Sequence, residues 1–522
     1  TNRINTLEGV KQSQIMMATD ANKDIYRNAG LLTAEAEAAA PGDMCIVVEA
    51  DNEDIVDKVL EEVKAFLNDM SVKKEKQALT SVTTWDEALE QLPDANMALF
   101  STPGEYTAPE IETALDKGLH VFSFSDNISL EDEIRLKKKA HDKGLLFMGP
   151  DCGTGIISGI PIAFTNVVKP GNIGIVGASG TGIQEVTAII DRLGGGVIHA
   201  IGTGGRDLNA KVGAITVKDA IVGLEHHDPT DVIVVISKPP AKEVRDEVVA
   251  LLQKCTKPVV AIFLGEKPEN HEGKVYLAHT LEETARMAVD LANGDPIKDN
   301  YCDPIDYEVS RPLAADKTVK GLYSGGSLAA EAGMLIAEAL NLGGLIKEEG
   351  YILKTGGYEV VDLGDDVYTQ GKPHPMIDPE VRIKKILECA KDPQTGVILL
   401  DCMLGYGCHP DMAGALAPAI REAQKIAKAD GRELYFVASV CGTRQDPQDY
   451  DRAVAELKEC GVLVEESNAR AIRLALKLKG IDYKENTRGH VEAAVDETPL
   501  PEPDEKIMEL LNTKPRVINV GV

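Results

Sequence analysis

The chain has 522 residues, of which 43% are hydrophobic and 27% are charged, and its formal net charge at pH 7 is −29. This length exceeds what one hydrophobic core normally serves, so about three or four domains are expected. The acidic excess argues against nucleic acid and against an anionic membrane surface as partners. We find no apolar stretch of transmembrane length and no secretory signal, which favours a cytoplasmic protein without membrane contact.

The nine cysteines are scattered along the chain and include no Cys-x-x-Cys pair. A scattered, odd-numbered set is typical of reduced cytosolic thiols. Cys402, Cys408, His409 and Cys441 are near enough in sequence to gather in space, but their spacing fits no zinc pattern. We therefore expect no metal site.

Residues 1–150 alternate short apolar runs with helical patterns, which predicts βαβ crossovers and a parallel sheet. No GxGxxG fingerprint follows any of these runs. The segment therefore predicts a Rossmann-like domain whose first strand is missing or altered. The predicted strands are residues 14–18, 45–49, 97–101, 120–124 and 145–148.

A second domain is predicted over residues 171–295. A stretch rich in Gly and Pro, residues 151–170, is predicted to be the extended linker that leads to it. Residues 296–318 contain three prolines and are the next predicted linker. Between the linkers, five apolar runs separated by helical patterns favour a flavodoxin-like parallel sheet. These runs are residues 173–176, 197–201, 232–236, 259–264 and 275–277.

Residues 319–484 repeat the pattern of the second domain, which indicates an internal duplication of a whole domain. The residues that follow, 485–522, are rich in Glu, Asp and Pro and predict an acidic tail with an apolar end. Five segments of the two copies correspond in the same order: 321–332 with 173–185, 360–366 with 201–207, 392–400 with 228–235, 434–440 with 259–264, and 461–470 with 274–283.

A strand, a turn of small residues and a helix start follow one another in Val176-Gly-Ala-Ser-Gly-Thr-Gly-Ile-Gln-Glu185, and residues 321–332 repeat this order. Backbone N–H groups and the positive end of a helix dipole meet at such a turn, which suits a phosphate or a carboxylate. A purely structural turn is the alternative, but both copies keep the small residues. The predicted anion seats are Gly177, Ser179, Gly180, Thr181 and Gly182 in the first copy and Ser324, Gly325, Gly326 and Ser327 in the second.

Gly149-Pro-Asp-Cys followed by Lys169-Pro-Gly-Asn-Ile-Gly-Ile-Val-Gly-Ala-Ser-Gly-Thr resembles the junction between the CoA-binding and ligase domains of the succinyl-CoA synthetase alpha subunit. The third domain resembles the ligase domain of the beta subunit. This order, without an ATP-grasp domain, is similar to the FdrA family of acyl-CoA synthetase-like proteins. Motifs that carry the FdrA resemblance are Phe124-Ser-Asp-Asn, Leu130-Glu-Asp-Glu-Ile, Gly205-Arg-Asp-Leu, Ser237-Lys-Pro-Pro-Ala, Val361-Asp-Leu-Gly-Asp-Asp and His374-Pro-Met-Ile-Asp-Pro.

The resemblance covers nearly the whole chain and implies an α/β fold: a Rossmann-like CoA-binding-type domain, then two duplicated flavodoxin-like ligase domains. Succinyl-CoA synthetases carry a phosphoryl group on a histidine in a Gly-rich loop after the fourth ligase strand. Here His271 lacks such a loop, His279 lies at the end of the next strand, and Ser237-Lys-Pro-Pro240 has no glutamate to orient a histidine. No P-loop or ATP-grasp segment is present. We therefore expect neither a phosphohistidine nor an ATP site in this chain.

Charged residues near the predicted strand ends supply further candidates. Arg206 and Asp207 follow a Gly-rich strand end, and with His374 they are the catalytic candidates. The Arg206 guanidinium is suited to bind a carboxylate or a phosphate through two hydrogen bonds. The alternative is that it pairs with Asp207 and fixes the loop. The clustered carboxylates of the third domain are suited to acid–base catalysis or to binding magnesium. The alternative is that they cap helices and turns. The substrate-binding candidates are Arg444, Asp362, Asp365, Asp366 and Asp378.

The resemblance implies that the two seats jointly hold one phosphate, within one chain or across a dimer. FdrA-like proteins are subunits of a multi-subunit oxamate carbamoyltransferase of ureide and purine breakdown, so we expect carbamoyl phosphate as co-substrate. The alternatives are an acyl-CoA ligase-type subunit that needs a separate nucleotide-binding chain, and a non-catalytic CoA-binding scaffold. CoA stays a candidate cofactor. The expected partners are a small acyl phosphate, a carboxylate, further copies of the chain and other subunits of the same pathway.

Overall fold

The computed structural model describes residues 4, 7, 9–40, 43–52, 55–64, 81–343, 346, 348–370, 372–484, 487–493 and 498–521. The chain divides into two compact units. The first unit is residues 1–93 with 370–372, and the second is residues 94–369 with 373–522. Among the described helices, none has the length and apolar character needed to cross a membrane.

The first unit contains an antiparallel ladder between β1 (Val10–Met17) and β2 (Met44–Ala50). Most positions of both strands are only partly buried, as in antiparallel sheets with one solvated face. The predicted strands 14–18 and 45–49 therefore exist, but they pair with each other. The expectation that a parallel Rossmann-like domain begins at residue 1 is corrected accordingly. The described helices of this unit include α1 (Asp20–Asn28), α2 (Ala34–Ala38) and α3 (Trp85–Gln91).

The second unit begins with a four-stranded parallel sheet. Three of its strands come from the predicted Rossmann-like segment, and the fourth, β21 (Val517–Val520), comes from the apolar end of the tail and pairs in parallel with the first of them. The strand that the sequence analysis expected to be missing is thus supplied by the other end of the chain. The other elements here are β3 (Met97–Phe100), α4 (Gly104–Asp116), β4 (His120–Ser123), α5 (Leu130–Asp142), β5 (Phe147–Met148) and α16 (Glu505–Asn512).

The second sheet has nine strands, and five of them are parallel in the order β9-β8-β10-β11-β13. This is the 2-1-3-4-5 order of a flavodoxin-like sheet. The predicted linker 151–170 in fact contributes a hairpin, β6 and β7, to one edge of this sheet. The elements are β6 (Thr154–Ile157), β7 (Ile160–Ala163), β8 (Ile173–Gly177), α6 (Gly180–Arg192), β9 (Val197–Gly202), α7 (Ile215–His226), β10 (Val232–Ser237), α8 (Lys242–Lys254), β11 (Val259–Phe263), β12 (Asn270–Glu272), β13 (Val275–Ala278), α9 (Leu281–Ala292) and β20 (Gly489–Val491).

The third sheet repeats the order of the second, with strands β16-β14-β17-β18-β19 in parallel and β15 antiparallel at the edge. The α/β fold with two flavodoxin-like domains is therefore confirmed. The elements are β14 (Thr318–Tyr323), α10 (Gly326–Leu340), β15 (Tyr351–Thr355), β16 (Tyr358–Asp362), α11 (Asp366–Thr369), α12 (Glu380–Lys391), β17 (Thr395–Met403), α13 (Met412–Ala429), β18 (Tyr435–Cys441), α14 (Tyr450–Glu459), β19 (Val462–Glu465) and α15 (Asn468–Leu478).

One hydrophobic core joins the two flavodoxin-like domains. Helices α6 and α9 of the first domain and α10 and α15 of the second bury their apolar faces in it together. Ile183 and Leu328, which lie in the first turns of α6 and α10, are fully buried there. This shared core fixes the starts of α6 and α10 relative to each other.

We predict that replacing Leu511 of α16 destabilises the second unit. Leu511 is 1% exposed, and its Cδ1 lies 3.0 Å from where a Cβ on Gly223 of α7 would stand. Leu511→Ala should therefore lower the free energy of unfolding by about 2–4 kcal/mol in urea titrations. The exposed neighbour Glu509 is the matched control, and Glu509→Ala should change it by less than about 0.5 kcal/mol. Equal effects of the two variants would contradict the docking of the tail.

Candidate functional site

The starts of α6 and α10 face each other within one chain. Ser179, the N-cap of α6, places its Oγ in hydrogen-bond contact with Ser327 Oγ of α10. Thr181 Oγ1 accepts a hydrogen bond of 3.2 Å from the N–H of Ser327. The N–H groups of Gly180, Thr181 and Gly326 have no protein partner among the residues that the structure describes. We call this arrangement the facing helix starts.

In the second of the two predicted anion sites, donor groups of Ser324 and Gly325 already bind a side chain of the protein. Asp401, at the carboxyl-terminal end of β17, accepts hydrogen bonds from Ser324 N (2.9 Å), Ser324 Oγ (3.0 Å) and Gly325 N (2.8 Å). Its charge is balanced by Arg382 Nη2 at 2.9 Å, and both side chains are fully buried. The prediction that Ser324 and Gly325 bind a ligand anion is therefore corrected. Ser324 and Gly325 bind an internal carboxylate, and the free N–H groups lie mainly on α6.

Two buried glutamates lie behind the facing helix starts and cross between the domains. Glu185 of α6 accepts the N–H of Asn468 at the start of α15 (2.9 Å), and Glu331 of α10 accepts the N–H of Leu281 at the start of α9 (2.7 Å). Each domain therefore caps the last helix of the other. Burial raises the pKa of both carboxyls, that of Glu331 to about 8. We call these two contacts the reciprocal clasp.

A lysine and a carboxyl group lie near the facing helix starts, and we use the word cleft for the region between the facing helix starts, Asp362 and Lys238. Lys238, directly after β10, is exposed, and its Nζ lies 2.9 Å from where a Cβ on Gly205 would stand. Among the described residues its ammonium group has no hydrogen bond or ion pair within contact distance, but its charge lowers the pKa of Asp151 and of Asp362. Asp362 Oδ2 lies 2.5 Å from where a Cβ on Gly326 would stand. Burial raises the pKa of Asp362 to about 7, although Lys238 opposes the shift.

The sequence analysis passed over Lys238. The segment that contains Lys238 entered only as a motif of the FdrA resemblance and as the place where a glutamate was absent, not as a candidate site. The available signal was position, because residues directly after a parallel strand lie at the ligand-binding edge of an open α/β sheet.

His374 is held by a backbone N–H group, whereas the acidic candidates Asp365, Asp366 and Asp378 lie in turns or at a helix start. His374 Nδ1 accepts a hydrogen bond from Met376 N (3.2 Å), so the neutral ring carries its proton on Nε2, which lies 2.5 Å from where a Cβ on Gly364 would stand. Burial lowers its pKa to about 4, so the ring is neutral at pH 7. Asp365 and Asp378 accept backbone N–H groups two residues onward and stabilise turns. Asp366 begins α11.

Arg206 and Asp207 belong to a charge network that fixes a loop to α5. Asp207 is fully buried, pairs with Lys137 Nζ at 2.5 Å and accepts the N–H of Val217. Arg206 Nε lies 2.8 Å from the buried Glu133. The expected catalytic role is therefore corrected for Asp207, which is enclosed. For Arg206 the structural alternative gains support, although its partner is Glu133 and not Asp207.

Arg444 also has an ion-pair partner within the protein. It forms an exposed ion pair with Asp451 at the start of α14, with an Nε–Oδ2 distance of 2.8 Å, and it has no contact with the cleft residues among those that the structure describes. The arginine side chains that the sequence analysis proposed as substrate anchors are thus both engaged within the protein.

The two histidines near the expected phosphohistidine position are held in place. His279 Nδ1 lies 2.9 Å from the carbonyl oxygen of Glu266, and its Nε2 lies 3.1 Å from Glu338 Oε2. His271 is buried on β12, where its Nδ1 accepts the N–H of Leu277. Burial opposes the ionisation of Glu338, but hydrogen bonds from His279 and Lys267 lower its pKa to about 2. Both rings are therefore packed as structural groups.

Three family models match the chain. A CoA-ligase model matches residues 322–478, and a CoA-binding-domain model matches residues 168–265. The CoA-binding match thus covers the first flavodoxin-like domain and not residues 1–150, where the sequence analysis expected a CoA-binding-type domain. A model described as the heavy metal-associated domain of AllF matches residues 1–83.

The residues of that last match do not fit a heavy-metal site. Residues 1–83 contain one cysteine, Cys45, and no histidine. Cys45 lies within β2 opposite Met16, and its carbonyl oxygen accepts a hydrogen bond from Tyr26. Soft metals are held by thiolate, thioether and imidazole ligands; this segment offers one thiolate, and among the residues that the structure describes no group of three His, Cys, Asp or Glu side chains is placed to hold a metal ion.

One relative matches nearly the whole chain, and relatives named as CoA ligases match about a third of it. The uncharacterized protein YahF of Escherichia coli K12 is 40% identical over 494 residues, which cover 91% of this chain and 94% of YahF. The succinate–CoA ligase [ADP-forming] subunit alpha 2 of Archaeoglobus fulgidus is 29% identical over 179 residues, 33% of this chain and 60% of that subunit.

Among solved structures, the ATP citrate lyase of Methanothrix soehngenii in complex with citrate and coenzyme A is 16% identical, with a TM-score of 0.35 over 59% of this chain and 56% of the other. The inference of family rests on sequence. Identity to YahF extends over nearly all of both proteins, and the CoA-binding and CoA-ligase models match the two flavodoxin-like domains. The chain therefore belongs to the family of YahF, whose members are acyl-CoA synthetase and succinyl-CoA ligase-like proteins.

Proposed function

We propose that the chain is the acyl-phosphate-handling subunit of a CoA-ligase-type enzyme, and that the phosphoryl group of the acyl phosphate binds at the facing helix starts. The observation that carries this proposal is the set of unpartnered N–H groups at Gly180, Thr181 and Gly326, together with Lys238, which is near enough to Asp362 beside Gly326 to lower its pKa. A phosphoryl group needs several N–H donors and local positive charge. The cleft supplies both, in a protein whose net charge of −29 would otherwise repel anions.

Asp362 and His374 are suited to the proton transfers of acyl transfer. A pKa of about 7 lets Asp362 take up or release a proton near neutral pH, which is the range in which a general base is most effective. His374 stays neutral and offers its Nε2–H as a hydrogen-bond donor. We therefore assign Asp362 the role of base and His374 that of a donor to the acyl or phosphoryl oxygen.

Coenzyme A is the acyl acceptor in this proposal, which is supported by the CoA-binding-domain model that matches residues 168–265. When bound, it supplies the thiol that accepts the acyl group. Asp362 takes the thiol proton. Gly180, Thr181 and Lys238 hold the phosphate that leaves as the carbon–oxygen bond breaks and the carbon–sulfur bond forms.

A second candidate is the transfer of a carbamoyl group from carbamoyl phosphate to oxamate. It is favoured by the fixed rings of His271 and His279, because a chain that carries no phosphoryl group on histidine would receive its acyl phosphate ready-made. The same cleft would hold the phosphoryl group of carbamoyl phosphate. Either activity is consistent with a role in a complex with other subunits.

Phosphate release by the purified chain tests these functions. The chain is incubated with acetyl phosphate and CoA, and separately with carbamoyl phosphate and oxamate, and calorimetry measures the binding of each compound. Turnover with CoA supports the ligase-type function, and turnover with oxamate alone supports the second candidate. CoA binding without any acyl-phosphate binding would overturn both and leave a non-catalytic scaffold.

We predict that Lys238→Ala weakens the binding of acetyl phosphate by roughly 10- to 100-fold, because a charge-assisted contact is lost. Isothermal titration calorimetry measures the dissociation constant. Lys242→Ala is the matched control, since Lys242 is an exposed lysine of α8 that pairs with Asp246. An unchanged affinity in Lys238→Ala would remove Lys238 from the site.

We predict that sulfate affinity falls as the pH rises from 6 to 8. Asp362, with its pKa raised to about 7, is mostly protonated at pH 6 and mostly ionised at pH 8, where it repels an anion beside Gly326. One such repulsion of about 1 kcal/mol corresponds to about a fivefold loss. Sulfate does not titrate in this range, so calorimetry reports the protein group. Asp362→Asn should make the affinity independent of pH, and a variant that keeps the full slope would contradict this assignment.

A further inference from the structure

An aspartate in a left-handed backbone conformation lies next to the facing helix starts. Asp151, in the loop after β5, has a φ of 53°, a conformation that disfavours most side chains but that Asp and Asn tolerate. Its N–H donates to the carbonyl oxygen of Ser125 (3.0 Å), which fixes the loop. Among the residues that the structure describes, no group donates a hydrogen bond to its carboxylate. The carboxylate is therefore not what holds the loop in place.

The loop of Asp151 packs closely against the first flavodoxin-like domain. A Cβ on Gly204, which follows β9, would collide with the carbonyl oxygen of Pro150, so the two loops approach each other through a glycine. A Cβ on Gly180, the first residue of α6, would stand 4.0 Å from Gly153 N. Asp151 is thereby kept beside the helix start that carries unpartnered N–H groups.

The side chain that Asp151 meets is Lys238. Lys238 Nζ and Asp151 Oδ2 lie 2.9 and 3.5 Å from the point where a Cβ on Gly205 would stand, so both approach a space that Gly205 leaves open. No direct ion pair joins these two described side chains. Surrounding atoms desolvate the carboxyl group of Asp151 and raise its pKa, and among the charges near it Lys238 opposes this shift most strongly. The two groups are electrostatic partners at a short distance.

The same ammonium group also acts on Asp362, at the end of β16. Burial raises the pKa of Asp362 to about 7, and the N–H of Gly364 and the charge of Lys238 oppose that shift. Lys238 is thus within electrostatic reach of two carboxyl groups that belong to different sheets. Because the attraction falls with distance, an ammonium drawn toward Asp151 stabilises the ionised form of Asp362 less.

The remaining charges around the two carboxyl groups do not replace Lys238. Besides Lys238, the charged groups that act on Asp151 are Asp126, Asp366 and Arg206, and those that act on Asp362 are Asp365 and Asp401. The one cation among them, Arg206, is paired with Glu133 at 2.8 Å. The position of the Lys238 ammonium therefore decides the charge balance of this part of the cleft.

We propose that Asp151 is a positioning residue, whose carboxylate holds the Lys238 ammonium beside Gly205 and thereby limits its approach to Asp362. This inference rests on the proposed function, since it takes Asp362 as the base. Without Asp151, Lys238 turns toward Asp362 and favours its ionised form, so Asp362 loses its proton at a lower pH. With Asp151 present, Asp362 titrates near neutral pH and Lys238 stays available to the phosphate.

The test measures sulfate affinity by calorimetry on the full chain from pH 5 to pH 9, where the midpoint of the affinity change reports Asp362. Asp151→Asn and Asp151→Gly both tolerate the left-handed conformation, and each should lower this midpoint by about 0.5–1 pH unit. In Lys238→Ala protein, which has no ammonium to reposition, the same substitutions should move the midpoint by less than about 0.2 pH unit. Asp126→Asn, at an exposed carboxylate near Asp151, is the control and should keep the wild-type midpoint.

The outcomes separate this inference from the proposed function. If wild-type protein binds no sulfate at any pH, the phosphoryl position and the proposed function fail. If it binds sulfate but both Asp151 variants keep the wild-type midpoint, the phosphoryl position stands and the positioning role is overturned. Equal shifts with and without Lys238 would also overturn it, because Asp151 would then act through its own charge and not through the lysine.

Discussion

The reciprocal clasp is the contact on which the geometry of the cleft depends. Glu185 and Glu331 occupy equivalent positions in the duplicated domains, and each accepts the first N–H of the other domain's last helix. Since an unpartnered buried carboxyl would cost several kcal/mol, neither domain can rotate without leaving both glutamates unsatisfied. The starts of α6 and α10 consequently meet in one fixed arrangement, with Ser179 against Ser327.

Duplication supplies two similar helix starts, but the side chains around them make them unequal. Asp401 fills the start of α10 and is itself balanced by Arg382, so that end of the cleft is already neutralised. At α6 the N–H groups of Gly180 and Thr181 remain available. A symmetric fold thus yields an asymmetric anion site: Asp401 takes the N–H groups of Ser324 and Gly325 just before α10 and leaves that of Gly326, whereas both N–H groups of Gly180 and Thr181 are left on α6.

The sequence predicted those features that depend on local patterns. The duplication, the strand order within each flavodoxin-like domain and the small residues at the helix starts all follow from periodicity and spacing. The errors concern partners that lie far apart in the chain. Asp401 is 77 positions from Ser324, and Lys137 is 70 positions from Asp207, so no local pattern revealed that these side chains were already engaged. The strand that completes the first parallel sheet lies more than 400 positions from its neighbour, at the other end of the chain.

The charges of the cleft also indicate which chemistry the chain leaves to others. His279 is held by Glu266 and Glu338, and His271 is locked by Leu277, so neither ring is arranged to move a phosphoryl group between two sites. In front of the facing helix starts, by contrast, Asp362 titrates near neutral pH and Lys238 is unpaired in the described part of the chain. These features agree with the proposed function, in which the site breaks an acyl–phosphate bond, because bond breaking needs an anion site and a base, whereas bond formation needs a nucleotide and a mobile carrier.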